Sequence, residues 1–279
     1  MLKKAPRFVA TLALAACLPL AAAAEDVPLW EIGAGVAAFS FPAYRGSDQS
    51  SNFVMPVPHF TYHGDFLKAD RHGLRGTFFD NDRLELTLSA ALSPPASSDD
   101  IEARKGMQNL DATFEIGPQI DVTLWRSENR ARFVKLLLPL RAAVTLDSRP
   151  RDIGLVFHPK LNMDVTDLPG MAGWNLGLLA GPLFGDRRQH DYFYGVKASE
   201  ATASRPAYEA RSGYAGMQYL ASLSKRFPGY WVGGFVRYDN LAGAVFENSP
   251  LVRDKNYFAA GMAVTWILGE SSTRVRIDD

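Results

Sequence analysis

Asp111-Ala-Thr-Phe-Glu-Ile-Gly-Pro-Gln-Ile-Asp-Val-Thr-Leu-Trp125 changes character at every second residue. The even positions, Ala112 to Leu124, are all apolar, and the odd positions include the carboxylates Asp111, Glu115 and Asp121. Successive side chains of a strand point to opposite faces, so an extended 111–125 separates an oily medium from a wet one along its whole length. A barrel wall has that property.

The pattern recurs. Leu84, Leu86, Leu88, Ala90 and Leu92 alternate with a polar set, as do Val134, Leu136, Leu138, Leu140, Ala142, Val144 and Leu146. In 153–165 the apolar Ile153, Leu155, Phe157, Leu161 and Met163 interleave with His158, Lys160, Asn162 and Asp164. Toward the C-terminus the second face turns small: 172–180, 230–238 and 257–268 alternate large apolar residues with Gly, Ala and Asn, with aromatics near both ends of the band. Such aromatics resemble the girdles of outer-membrane strands. Weaker strands are expected at 29–41, 52–62, 66–79 and 213–226, the third alternating poorly. That makes eleven strands, or twelve if 192–197 is also one.

Turn formers punctuate these segments at 62–65, 80–82, 127–129, 147–150, 167–170 and 227–230, and longer connections run over 42–51, 93–110, 187–212 and 240–256. The expected fold is all-β, a transmembrane antiparallel up-and-down barrel of ten to twelve strands. Bacterial barrels have even strand numbers and periplasmic termini. Twelve strands with 192–197 as the twelfth satisfies parity but puts the long 93–110 connection on the periplasmic side. Ten, with one of the weak early segments folded inward or broken, puts it outside. A soluble barrel of the lipocalin kind, apolar inside, would write the same alternation. Strand length, interfacial aromatics and the sparse charge of the second face favour the membrane.

The N-terminus gives the compartment. Lys3, Lys4 and Arg7 precede an apolar run that ends in Ala22 and Ala24, which reads as a secretory signal over 1–24 cleaved after Ala24. Leu14-Ala15-Ala16-Cys17 is a rival lipoprotein box. Residues 25–279 then form one barrel domain with a hydrophilic tail at 269–279. Cys17 is the one cysteine, which excludes disulfides and thiolate sites from a chain beginning at Glu25. The signal carries three cations and no carboxylate, so 30 Lys and Arg fall to 27 against 30 Asp and Glu. Nothing argues for nucleic acid, and nothing fixes an oligomeric state. Beyond residue 24 no apolar run reaches the roughly 18–20 residues of a membrane helix, so any spanning must be by strands.

Chemical motifs are scarce. His59 and His63 lie about 13 Å apart along an extended strand, too far to share a metal without a third ligand between. A nucleophile elbow, a helical His-Glu-x-x-His and a phosphate-cradling loop do not occur. No catalytic residue, metal or cofactor is therefore expected. The candidate lumen charges are Glu115, Asp121, Lys135, Arg141, His158, Lys160 and Asp164. Opposite signs on neighbouring strands favour pairing, with Glu115 and Asp121 facing Lys135 and Arg141, and a narrow lumen.

Short stretches carry a resemblance. Pro42-Ala-Tyr44-Arg-Gly46-Ser47-Asp48, Pro56-Val-Pro58 with Tyr62-His-Gly-Asp65, and Tyr192-Phe-Tyr194-Gly195-Val196 are three of them. Ser204 with Pro206-Ala-Tyr208, and Ser249-Pro250-Leu-Val with Asp254-Lys255, complete the set. In order and spacing the chain resembles the MipA/OmpV outer-membrane proteins. The resemblance implies a barrel of the Gram-negative outer membrane, in contact with its lipid, that scaffolds an MltA-like lytic transglycosylase and a bifunctional penicillin-binding protein. It implies no catalytic residues. The alternative is a narrow permeation or small-molecule-binding barrel that affects envelope permeability and antibiotic susceptibility. Such barrels commonly end on an aromatic, whereas here 269–279 follows Leu268, which leaves open whether Trp266 marks the last strand.

Overall fold

The computed structural model describes residues 26–64, 67–70, 73–81 and 83–276, so the signal segment lies outside the described residues. The strands are β1 (Asp26–Pro28), β2 (Trp30–Pro42), β3 (Ser50–His63), β4 (Leu67–Asp70), β5 (Gly73–Asp80), β6 (Leu84–Ser93), β7 (Thr113–Arg126) and β8 (Arg132–Thr145). They continue with β9 (Asp152–Phe157), β10 (Lys160–Val165), β11 (Trp174–Gly185), β12 (Gly213–Phe227), β13 (Tyr230–Asn240), β14 (Asn256–Glu270) and β15 (Arg274–Arg276). One helix, α1 (Arg187–Tyr194), precedes β12.

Strands β2 to β14 pair antiparallel in chain order, and β14 pairs back with β2. Both β9 and β10 lie between β8 and β11, so they are two halves of one pass, broken at His158-Pro159. Pro159 has no N–H to give the ladder. Among the described residues the wall thus has twelve passes.

The twelfth pass is not the expected one. Segment 192–197 is partly α1, whose start is fixed by Asp186 accepting from the Gln189 N–H at 2.8 Å. Instead 66–79, expected as one strand, divides into β4 and β5, which pair antiparallel with Asp70 opposite Gly73. This extra reversal lies before 93–110. It moves that connection to the end opposite the termini, with 43–49, 146–151, 186–212 and 241–255. Short turns occupy the terminal end, the arrangement of periplasmic turns and extracellular loops.

Burial settles which face is inside. Val54 is 77%, Leu92 71% and Leu268 75% exposed, whereas Asp239 is 0%, Thr87 1% and Asp121 3%. A water-soluble barrel would bury the apolar set; this one buries its charges and presents its oil outward. Trp125, expected on the polar face, is half exposed on the outside because the register slips between Thr123 and Trp125. Aromatic rows bound the outer band. Tyr238 lies 5.0 Å from Phe258 and 6.0 Å from Tyr219 near the loops, and Phe227 stacks on Tyr230 at 4.7 Å near the turns. Tyr230 and Tyr238 are about 26 Å apart along the strand, the order of the apolar height of such barrels.

Candidate functional site

One group of lumen charges lies on β6 to β10. There Arg141 Nε donates to Glu115 Oε2 at 2.9 Å and its Nη1 to Ser89 Oγ at 3.3 Å. Lys135 Nζ donates to Glu85 Oε2 at 3.3 Å. Glu85 is absent from the sequence-derived set, although it stands opposite Asp121 in the register and its parity on β6 marks it as inward. Asp121 accepts from Gln119 Nε2 at 2.7 Å, and Asp164 accepts from the Asn162 amide. Lys160 is half-buried; His158, 4% exposed, keeps Nε2 without a hydrogen-bond partner. Nearer the turns, Glu31 accepts from Arg226 Nε at 3.0 Å and from Thr61 at 3.4 Å. His59 Nδ1 lies 2.9 Å from Thr265 Oγ1, and His63 Nδ1 3.0 Å from the Pro28 carbonyl, so the two histidines have separate partners.

Another part of the lumen is aromatic. Phe39 stacks on Phe41 at 5.6 Å, and Phe41 on Phe235 at 6.1 Å. Gly261 on β14 makes this possible, since a Cβ there would stand 2.6 Å from both the Phe39 and Phe235 rings.

Above the lumen the long loops pack into a cap with its own apolar core, including Tyr44, Ile101, Leu110, Tyr194, Phe246 and Leu251. Most family-like residues fasten it. Tyr44 Oη donates to the Leu251 carbonyl at 2.6 Å, Tyr194 Oη to the Arg45 carbonyl at 3.0 Å, and Ser249 Oγ to the Tyr194 carbonyl at 2.8 Å. The Gly46 carbonyl accepts from the N–H groups of Arg253 and Asp254 at 2.7 and 3.1 Å. Gly46 has φ +95°, which a side chain would strain. Ser47 Oγ and Gln49 close an ST-type turn at 3.1 Å, Asp48 lies 3.9 Å from Arg253, and Asp254 accepts from Asn256 N at 2.9 Å. Gly195 ends α1 where a Cβ would meet the Asp191 carbonyl at 2.6 Å; Pro42 is buried at the end of β2, and Pro250 sits in a turn. Tyr194 stacks on Phe246 at 3.7 Å. Burial raises the Tyr194 and Tyr44 phenols, the latter to about 12, so both stay protonated donors.

Where cap meets lumen, the fully buried Asp239 accepts from Arg45 Nε and Gln218 Nε2 at 3.1 Å and from Arg237 Nε at 2.7 Å. Arg45 Nε also reaches Tyr257 Oη at 3.0 Å, and its Nη2 has no hydrogen-bond partner. A cavity of about 250 Å³ lies here, lined among others by Phe41, Arg45, Leu92, Glu115, Arg237 and Phe246.

An antiparallel wall that curls round until β14 pairs with β2, oily outside, charged within and capped at the end away from its termini, defines an outer-membrane β-barrel. Residues 34–268 match the family model described as MltA-interacting protein MipA, and the chain belongs to that family. It is 25% identical to Outer membrane protein Omp26La of Vibrio anguillarum over 75% of this chain and 76% of that one. It is 28% identical to Putative outer membrane protein YiaT of Escherichia coli O157:H7 over 89% and 94%. Among solved structures, a bacterial polysaccharide outer membrane secretin aligns at TM-score 0.41 and 10% identity, over 88% of this chain and 100% of that chain.

Proposed function

We propose that this barrel is a non-enzymatic outer-membrane scaffold holding a lytic transglycosylase and a bifunctional penicillin-binding protein at its periplasmic end. The observation that carries this reading is membership of a family named for interaction with MltA. The architecture supports it. At the end with the short turns, β1 and β15 pair into a ribbon that sets Asp26 opposite Arg276 and Val27 opposite Val275, so residues 274–276 of the tail are tied back to the N-terminal strand. Affinity capture of the barrel from solubilised membranes should bring both enzyme classes with it, and removing 271–279 should weaken capture while the barrel still shows heat-modifiable migration. Repeated failure of capture by intact barrel would sink the reading.

A second reading has its own observation, the cavity beneath the cap, where Arg45 and Arg237 share one carboxylate. The lumen then serves as a compartment for a small molecule. Planar-bilayer recordings test it: solute-dependent block supports it, and the absence of both conductance and block counts against it.

A further inference from the structure

Among the described residues, strand pairing is incomplete between β3 and β6. Hairpin β4–β5 pairs with β3 at Tyr62 and His63 and with β6 no higher than Leu88. Among the described residues, nothing pairs with β3 from Ser50 to Thr61 on the side away from β2. That edge is roughly 35 Å long. Loop contacts close the opening above, where Gln49 Nε2 donates to the Asp100 carbonyl at 3.1 Å and Glu102 N donates to Gln49 Oε1 at 2.6 Å.

Two prolines fit β3 to be such an edge. The His63 N–H donates to Leu29 on the β2 side at 2.8 Å, so by alternation the even residues of β3 direct their amide positions toward the opening. Pro56 and Pro58 occupy two of those positions and have no N–H. A partner strand is thereby refused, as edge prolines do. The even carbonyls remain, and they need water or a polar head group, which an acyl chain alone cannot supply.

What lies behind the opening is amphipathic. His59 meets Thr265 over the glycines of β2 on the lumen face of the wall, so the odd residues Phe53 and Met55 face inward too, and they are 38% and 48% exposed. They continue the aromatic part formed by Phe39, Phe41 and Phe235. The cavity reaches from Leu92 and Ser93, on the β6 margin of the opening, to Arg45 and Arg237. Those two guanidinium groups share Asp239, which leaves one positive charge uncompensated among the three.

We propose that the β3/β6 opening is a lateral entry through which a single-chain anionic amphiphile of the fatty-acid class enters from the membrane, its chain along Phe53, Met55 and Phe41 and its head at Arg45. This deepens the second reading above. Cys17 is the one cysteine, so single-cysteine spin labels can be placed on a Cys17→Ala background in liposomes. A label at Met55→Cys should be oxygen-rich and nickel-poor, like one at the lipid-facing Val54→Cys and unlike one at Ala263→Cys inside the paired wall. Dodecanoate should lower oxygen access at Met55 saturably, with dodecanol weaker by about tenfold, the worth of one charge-assisted hydrogen bond. Arg45→Gln should erase that difference; should it fail to assemble, the comparison of dodecanoate with dodecanol at native Arg45 decides. A nickel-accessible Met55, or equal response to acid and alcohol, overturns the proposal. Block of conductance by a water-soluble solute together with a water-like Met55 would overturn the lateral entry and leave the compartment standing.

Discussion

Asp239 is fully buried and takes hydrogen bonds from Arg45, Arg237 and Gln218, so two cations at the top of the lumen depend on one carboxylate. Asp239→Asn keeps the shape and removes the charge, leaving two guanidinium groups facing one another. Breaking a buried pair in this way costs about 3–5 kcal/mol. The expected outcome is a lower midpoint in urea unfolding of the micelle-bound barrel, and an unchanged midpoint would refute the dependence. His190 makes the opposite kind of prediction. Its ring is packed at 4.8 Å from Phe246 with Nδ1 2.6 Å from the Arg211 carbonyl, and burial lowers its pKa from 6.5 against the raising effect of that carbonyl. The unfolded cap therefore binds a proton that the folded cap does not, so stability is present above pH 6.5 and is lost as pH falls below it. Protease cleavage within 196–212 should rise as pH falls below 6.5, and His190→Gln should flatten that rise.

At the scale of elements, β3 tests its own design. If Pro56 and Pro58 protect an edge, Pro56→Ala with Pro58→Ala restores two N–H donors facing the opening, and intermolecular strand pairing follows. Cross-linking in membranes should show dimers through β3 that the parent lacks; a monomeric double variant would mean the edge is covered by other means. Alternation made most of the wall legible, because a membrane strand writes its two solvents into alternate residues. Glu85, Arg237 and Asp239 were left out of the expected lumen set, because parity alone places a residue on a face and only register brings it to its partners. The β4–β5 hairpin was illegible for a physical reason: 66–79 alternates poorly, and strands as short as β4 and β5 leave little trace in a pattern with period two. Helix α1 hid for another, since Tyr192-Phe-Tyr194 has strand-like propensity while the Asp186 cap and the packing of Tyr194 on Phe246 decide its conformation.

For the molecule as a whole, closure rests on the loops, not on the wall. Twelve passes enclose a lumen whose charges are largely paired, and the residues that look most family-like are the ones that pin the cap by reaching between loops far apart in sequence. Phe246 is the centre of that cap: fully buried, stacked on Tyr194 and edge-on to His190. Truncating a buried phenylalanine costs about 3–5 kcal/mol. The wall does not pass through Phe246, so Phe246→Ala should spend that cost on the cap and leave the strand ladder intact. Heat-modifiable migration should stay that of the folded barrel, while planar-bilayer conductance rises above the parent and the 241–255 loop becomes cleavable in whole cells. A variant that loses the barrel as well would show that cap and wall fold as one unit, and a barrel that stays closed would place the seal lower, among the paired charges of β6 to β10.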